Sequence, residues 1–154
     1  MKETLADLAI ASSELNKATD ELNDLLEQFE DKLQRMGVGI AWWSALLMLP
    51  EDTEEVDRGK TTMCHRGWRL GYGKLDRWRV IVQEACWEVK PGEYSDIKYG
   101  RHLWAREPIP ALQAPRQVRV EVALNLEDLA RVLARQVRSY TNHIVEAKKF
   151  VEGQ

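Results

Sequence analysis

Met1, Leu5, Leu8, Ser12, Leu15, Thr19, Leu22, Leu26, Phe29, Leu33 and Met36 follow one another at alternating spacings of four and three. Nine of these eleven positions are apolar, and no Gly or Pro interrupts them. A 3.5-residue period held this long is the seam of a coiled coil rather than the wide stripe of a globular helix. It predicts one helix over residues 2–36. At 1.5 Å per residue that helix spans roughly 50 Å, against a diameter of roughly 40 Å for a compact chain of this size. Part of the seam must therefore meet another helix, either the C-terminal one or the same helix of a second copy. Leu8, Leu15, Leu22, Leu26, Phe29 and Leu33 are the expected self-association surface. The small hydroxyls Ser12 and Thr19 are tolerated between bulkier neighbours.

Gly37 is placed to end the helix in a left-handed conformation. Residues 40–49 are a near-continuous apolar run closed by Pro50, which predicts a strand covered on both faces, with a short buried helix as the alternative. The acidic residues 51–57 read as a solvated, mobile loop. Across residues 62–89, Trp, Tyr, Val and Ile alternate with Arg, and Gly71, Gly73 and Asp76 mark a reversal near Leu75, the pattern of a β-hairpin. With the turn centred on Leu75, Arg66, Trp68, Leu70, Tyr72, Trp78, Val80 and Val82 share the core face. His65, Arg69, Arg77, Arg79, Ile81, Gln83 and Trp87 share the other, basic face. This register sets Cys64 opposite Cys86, as two small buried thiols, with a cross-strand disulfide as the alternative.

Residues 90–92 form a turn, residues 99–104 a short edge strand, and Pro108, Pro110 and Pro115 bar a long helix. Residues 116–123 fit a helix after Pro115 or, by their Val-Arg-Val-Glu-Val alternation, a strand. Asn125 with Asp128 resembles a capping box opening the last helix. Its buried stripe is Leu126, Leu129, Leu133, Val137, Tyr140, Ile144, Ala147 and Val151. The prediction is an α+β fold in a single domain over residues 1–154: an antiparallel sheet of three to five strands between long N- and C-terminal helices.

At 154 residues, 44% of them hydrophobic and 31% charged, the chain has globular composition. Its longest apolar run, about 12 residues, is shorter than the roughly 20 needed to span a bilayer. A cytoplasmic protein with no membrane association is expected. The net charge of −3 hides an asymmetry: residues 1–57 carry 14 acidic against 4 basic side chains, and residues 58–82 carry 7 basic against 1 acidic. The acidic total argues against general DNA binding and leaves room for a local anion site.

His65, His102 and His143 are too scattered for a metal site, so no metal and no cofactor is expected. Gly71-Tyr72-Gly73-Lys74 is too short for a phosphate loop and leads into a strand rather than a helix. No G-x-S-x-G nucleophile motif occurs. The expectation is a protein that is not an enzyme and has no catalytic residues.

One pattern remains, the interleaving of cations with large rings in the hairpin. A guanidinium forks onto phosphate and a ring stacks on a base, which makes Arg66, Trp68, Arg69, Lys74, Arg77, Trp78, Arg79 and Trp87 the candidate ligand-binding residues. Trp42 and Trp43 must point to opposite faces, one into the core and the other free to floor a pocket. Arg131, Arg135, Arg138 and Asn142 add a basic stripe on the last helix.

The segments Trp68-Arg69-Leu70-Gly71-Tyr72-Gly73-Lys74 with Trp78, and Ala114-Pro115-Arg116 with Arg119, resemble a loose group of uncharacterised small bacterial and phage-borne proteins. The resemblance covers about half the chain. It implies no established activity; a phage setting implies a small non-enzymatic protein that counters host defences by capturing a signal molecule or masking a partner.

Two functions are therefore expected to compete. One is a homo-oligomeric, non-catalytic protein that captures a small anionic, nucleotide-like ligand. The other is a protein-interaction module whose acidic helix and residues 51–57 dock on a basic protein partner.

Overall fold

The computed structural model describes residues 1–89 and 99–153. Helix α1, Lys2–Arg35, is followed by strands β1 (Trp42–Asp57), β2 (Lys60–Lys74), β3 (Trp78–Val89), β4 (Tyr99–Ala105) and β5 (Ile109–Pro110). A 3-10 turn, Ala111–Gln113, leads to helices α2 (Arg116–Leu124) and α3 (Leu126–Glu152). The fold is α+β, and its sheet has five strands in the order β1-β2-β3-β4, with β5 also on β3. The predicted turn at residues 90–92 lies outside the described residues.

Helix α1 ends as its glycine foretold. Gly37 takes φ +71°, its N–H donates to the Gln34 carbonyl at 3.0 Å, and the Val38 N–H donates to that of Leu33 at 3.2 Å. Those are the two bonds of a Schellman motif, and Val38 completes it by packing on the cluster that holds Leu33.

Strand β1 corrects two expectations. Residues 51–57 are not a loop: they pair antiparallel with β2 from Glu51↔Arg66 to Asp57↔Lys60. The cause is the turn, where Arg58 and Gly59 both have positive φ, 51° and 79°, the requirement of a tight two-residue hairpin. The expected strand within residues 40–49 forms from Trp42 on, but it is not covered on both faces: Ala45 and Leu49 are exposed, Leu47 is buried, and the strand lies at the sheet's edge. Two register shifts, between Trp43 and Leu47 and between Met48 and Glu51, break its pairing, and the second admits Pro50, which has no N–H to give. A charged edge also discourages pairing with foreign strands.

The β2–β3 hairpin forms two residues out of the expected register. Lys74 faces Trp78 and Cys64 faces Glu88, so Cys64 is not opposite Cys86, which faces Arg66. The chain reverses over Leu75, Asp76 and Arg77, with the Leu75 N–H donating to the Arg77 carbonyl at 3.0 Å. A slip of two leaves the strand side chains on their predicted faces and puts Arg77 in the turn. Leu70, Tyr72, Val80 and Val82 are buried in the core with Trp68 and Trp78 packed on them. Cys64 and Cys86 are buried, free thiols. Burial, and next the neighbouring Cys64, push the Cys86 thiol up to about 12, which leaves almost no reactive thiolate at neutral pH.

Beyond β2, the other edge of β3 is closed in three sections. β4 pairs with Ala85 to Val89 and β5 with Ile81 and Val82. At Trp78 and Val80 helix α1 takes the place of a strand: Gln34 Nε2 donates to the Trp78 carbonyl at 2.9 Å, and the Val80 N–H donates to Glu30 Oε1 at 3.0 Å. Residues four apart on a helix lie on one face, which lets one turn of α1 satisfy two backbone groups on one strand edge.

The core lies between the even-numbered face of the sheet and the helices: Leu26 and Leu33 of α1, Val118 and Val122 of α2, and Leu126, Leu129 and Leu133 of α3. Residues 116–124 are thus helical, with Val118 and Val122 inward. Two expectations fail on α3. Asn125 does not cap it, since its Nδ2 donates back to the Glu121 carbonyl at 2.7 Å. The stripe is buried only as far as Leu133, while Val137, Tyr140, Ile144 and Val151 are exposed. Helix α1 shows the same division. Leu26 and Leu33 are core, Phe29 packs against it, Leu22 is half-buried, and Leu5, Leu8 and Leu15 are exposed. No helix among the described residues is long and apolar enough to cross a membrane.

Candidate functional site

On the odd-numbered face of the sheet, opposite the core residues Leu70, Tyr72, Val80 and Val82, Arg69 meets two indoles. Its guanidinium lies 5.1 Å from the centre of the Trp43 ring and 5.8 Å from that of Trp87, held between two indoles. Trp87 meets His102 edge-on, with ring centroids 4.8 Å apart. His65, the neighbour of Trp87 across the hairpin, has Nδ1 2.8 Å from an Asp52 carboxylate oxygen.

The local sequence explains this placement. Trp43 pairs with Gly71 while Trp42 pairs with Tyr72, so adjacent tryptophans fall on opposite faces. Trp42 joins the core and Trp43 lies over Gly71. A Cβ at Gly71 would stand 2.5 Å from Trp43 Cε3 and 2.8 Å from the Trp42 carbonyl oxygen. Only a glycine lets the indole lie that flat on the strand. The shift between Trp43 and Leu47 then sets Leu47, not a nearer residue, opposite Arg69.

Arg69 differs from the other cations of the hairpin. Its Nε donates to the Ser44 carbonyl at 3.4 Å, and no carboxylate among the described residues pairs with it. Burial pushes its pKa below the usual arginine value, the mark of a charge deprived of water without an anion in exchange. Arg66, on the core face, donates through Nε and Nη2 to Glu84 Oε1. Arg106 Nε stands 3.4 Å from the second Glu84 oxygen, and both guanidiniums flank the Trp104 ring at 5.7 and 5.9 Å. Arg79 lies 3.8 Å from Glu30 and 3.5 Å from Asp76. Lys74 and Arg77 are exposed at the hairpin turn.

The eight candidate residues therefore do not converge. Arg69 and Trp87 come together. Trp68 and Trp78 are on the core, Trp78 stacked 5.6 Å from Tyr72, and Arg66 and Arg79 are matched by acids. Trp43 and His102 join the site from β1 and β4. Trp43 is the ring of the Trp42–Trp43 pair that was expected to be free of the core, and Gly71 beneath it, read only as a mark of the reversal, is what admits it; nothing in the sequence placed His102 beside it. Among the described residues no group of three or more His, Cys, Asp or Glu is placed to hold a metal. What this face can do is receive an anion at the Arg69 fork, in surroundings dry enough to strengthen the pairing.

No protein-family model, no curated protein and no solved structure matches the chain.

Gly71→Ala tests the geometry of the face. The new methyl must displace the Trp43 ring or the Trp42 carbonyl, at a cost of about 1–3 kcal/mol. Urea denaturation should show that loss, and intrinsic fluorescence should show Trp43 leaving Arg69. An alanine variant with the wild-type midpoint would mean that the indole does not lie on the strand.

Proposed function

We propose that the chain is a non-catalytic, self-associating binding protein that captures a small anionic, nucleotide-like ligand at Arg69 on the odd-numbered face of the sheet. The observation that carries this reading is the half-buried guanidinium of Arg69, fixed between Trp43 and Trp87 with no carboxylate partner among the described residues. A cation held in this way accepts phosphate or carboxylate oxygens at little further desolvation cost, because the fold has already removed much of its water. The indole edges and His102 supply flat surfaces beside it for a base. Docking of residues 51–57 on a basic partner is less well supported, since Asp52 and Glu55 are already engaged by His65 and Trp104.

The test is tryptophan fluorescence and thermal melting of the purified protein against a panel of nucleotides and cyclic dinucleotides. At least one should shift both signals. Arg69→Gln should weaken that ligand about tenfold or more, the loss of one charge-assisted hydrogen bond, while Arg77→Gln at the exposed turn leaves it unchanged. A panel without effect, or an Arg69→Gln variant that binds as the wild type does, overturns the proposal.

A further inference from the structure

Residues 1–18 of α1 and 137–153 of α3 are exposed at every position. At 1.5 Å per residue each is an arm of roughly 25 Å, and each bears an apolar stripe left exposed among the described residues. On α1 the stripe is Leu5, Leu8 and Leu15; on α3 it is Val137, Tyr140, Ile144 and Val151. Positions 137, 140, 144, 147 and 151 are spaced by three and four, the same 3.5-residue period as the α1 seam.

The arms leave the core at opposite ends of α1. Helix α2 lies along the middle of α1, where Arg116 donates to Asn16 and Arg119 to Asn23. The root of α3 lies at the C-terminal end of α1: Leu133, Ala134 and Val137 line a groove of about 690 Å³ with Phe29, Leu33 and Met36. One chain thus cannot fold either arm against the other. Their charges are opposite. Residues 1–22 carry Glu3, Asp7, Glu14, Asp20 and Glu21 against Lys2 and Lys17, whereas residues 134–152 carry Arg135, Arg138, Lys148 and Lys149 against Glu146 and Glu152.

We infer that the two arms are halves of one interface, the α1 arm of each chain lying on the α3 arm of a second copy. The inference rests on the self-association proposed above and names the surface that makes it. Length, hydrophobic period and charge all match between the two arms, whereas α1 against its own copy would set acid against acid. A two-fold axis forms both junctions at once, each with antiparallel helices, and closes the assembly as a dimer; a head-to-tail repeat would leave free arms at its ends.

Light scattering coupled to size exclusion, at micromolar concentration, tests the pairing. The wild-type chain should elute at twice its 17.8 kDa mass. Leu8→Glu and Ile144→Glu should each raise the dimer dissociation constant at least tenfold. Leu8 and Ile144 are 60% and 57% exposed, and all six tryptophans lie between residues 42 and 104, so an unchanged near-ultraviolet tryptophan spectrum verifies that each variant keeps its core. A monomeric wild type overturns both this inference and the self-association. A dimer broken by Leu8→Glu but indifferent to Ile144→Glu means that α1 pairs with α1, and the reverse means that α3 pairs with α3; either result overturns the α1–α3 pairing and leaves self-association standing.

Discussion

Tyr72→Ala is expected to lower the unfolding free energy by about 3–5 kcal/mol, the range for truncating a fully buried ring. Tyr72 is among the largest side chains with no exposure, and three elements meet on it. Its ring stacks on Trp78, its hydroxyl donates to the Val38 carbonyl at 2.9 Å, and its neighbours in the core include Leu26 and Leu33 of α1. Burial, and after it the Glu30 carboxylate, hold its pKa above the usual phenol value, so the hydroxyl stays protonated and remains a donor. Tyr72→Phe keeps the ring and leaves the Val38 carbonyl short of one donor, for about 1 kcal/mol. Urea unfolding followed by far-ultraviolet dichroism separates the two losses. If alanine and phenylalanine cost the same, the hydroxyl rather than the packed ring anchors the α1–β1 connection to the sheet.

Glu30→Ala should cost a similar amount, about 3–5 kcal/mol, as expected when one partner of a buried ion pair is removed. Glu30 is 2% exposed, and its loss leaves the Val80 N–H without its acceptor and Arg79 with only the exposed carboxylate of Asp76. Glu30→Gln separates the hydrogen bond from the charge, because the amide oxygen still accepts from Val80. Burial is the largest influence on the Glu30 carboxyl and raises its pKa, against the opposing pull of Arg79 and the Val80 N–H. In the unfolded chain the same carboxyl titrates near 4.3. A raised folded value means that the folded state holds this proton more tightly. The resulting stabilisation is complete below the unfolded value and is lost as pH rises through the folded one. The stability of wild type relative to Glu30→Gln should therefore fall as pH rises across that window and level off above it. Urea midpoints of the two proteins over a pH series measure the difference. A difference that grows with pH would show that Arg79 outweighs the burial.

How much of this was legible in the sequence differs from element to element. The helix of α1, its glycine stop, the inward stripe of α3 as far as Leu133 and the faces of the β2 and β3 strands followed from spacing alone, because side-chain direction along a helix or strand is a local property. The register of that hairpin did not follow. Leu75, Asp76 and Arg77 admit more than one turn, and a slip of two residues moves Cys64 from Cys86 to Glu88 without exposing an apolar group. Residues 51–57 read as a loop because five of the seven are acidic. As an edge strand they keep Glu51, Asp52 and Glu54 exposed, and the decision rested on the positive φ angles of Arg58 and Gly59. The basic face was visible in the alternation of Arg with Trp, but which half-buried arginine would have no carboxylate partner among the described residues was not, since Glu84 and Glu30 reach Arg66 and Arg79 from 18 and 49 residues away.

By itself the sequence determined the class of fold, the length and polarity of the two helices, and the two faces of the central hairpin. These depend on periods of 3.5 and 2 residues, which any folded arrangement must respect. Only the tertiary structure decided how much of each helical stripe is covered, which strand edge Glu30 and Gln34 close, and which half-buried arginine of the hairpin has no carboxylate partner among the described residues. Those outcomes depend on where elements end in space relative to one another. A covered seam and a bare one, or a paired arginine and a lone one, carry the same local pattern until a partner from elsewhere in the chain is set beside it.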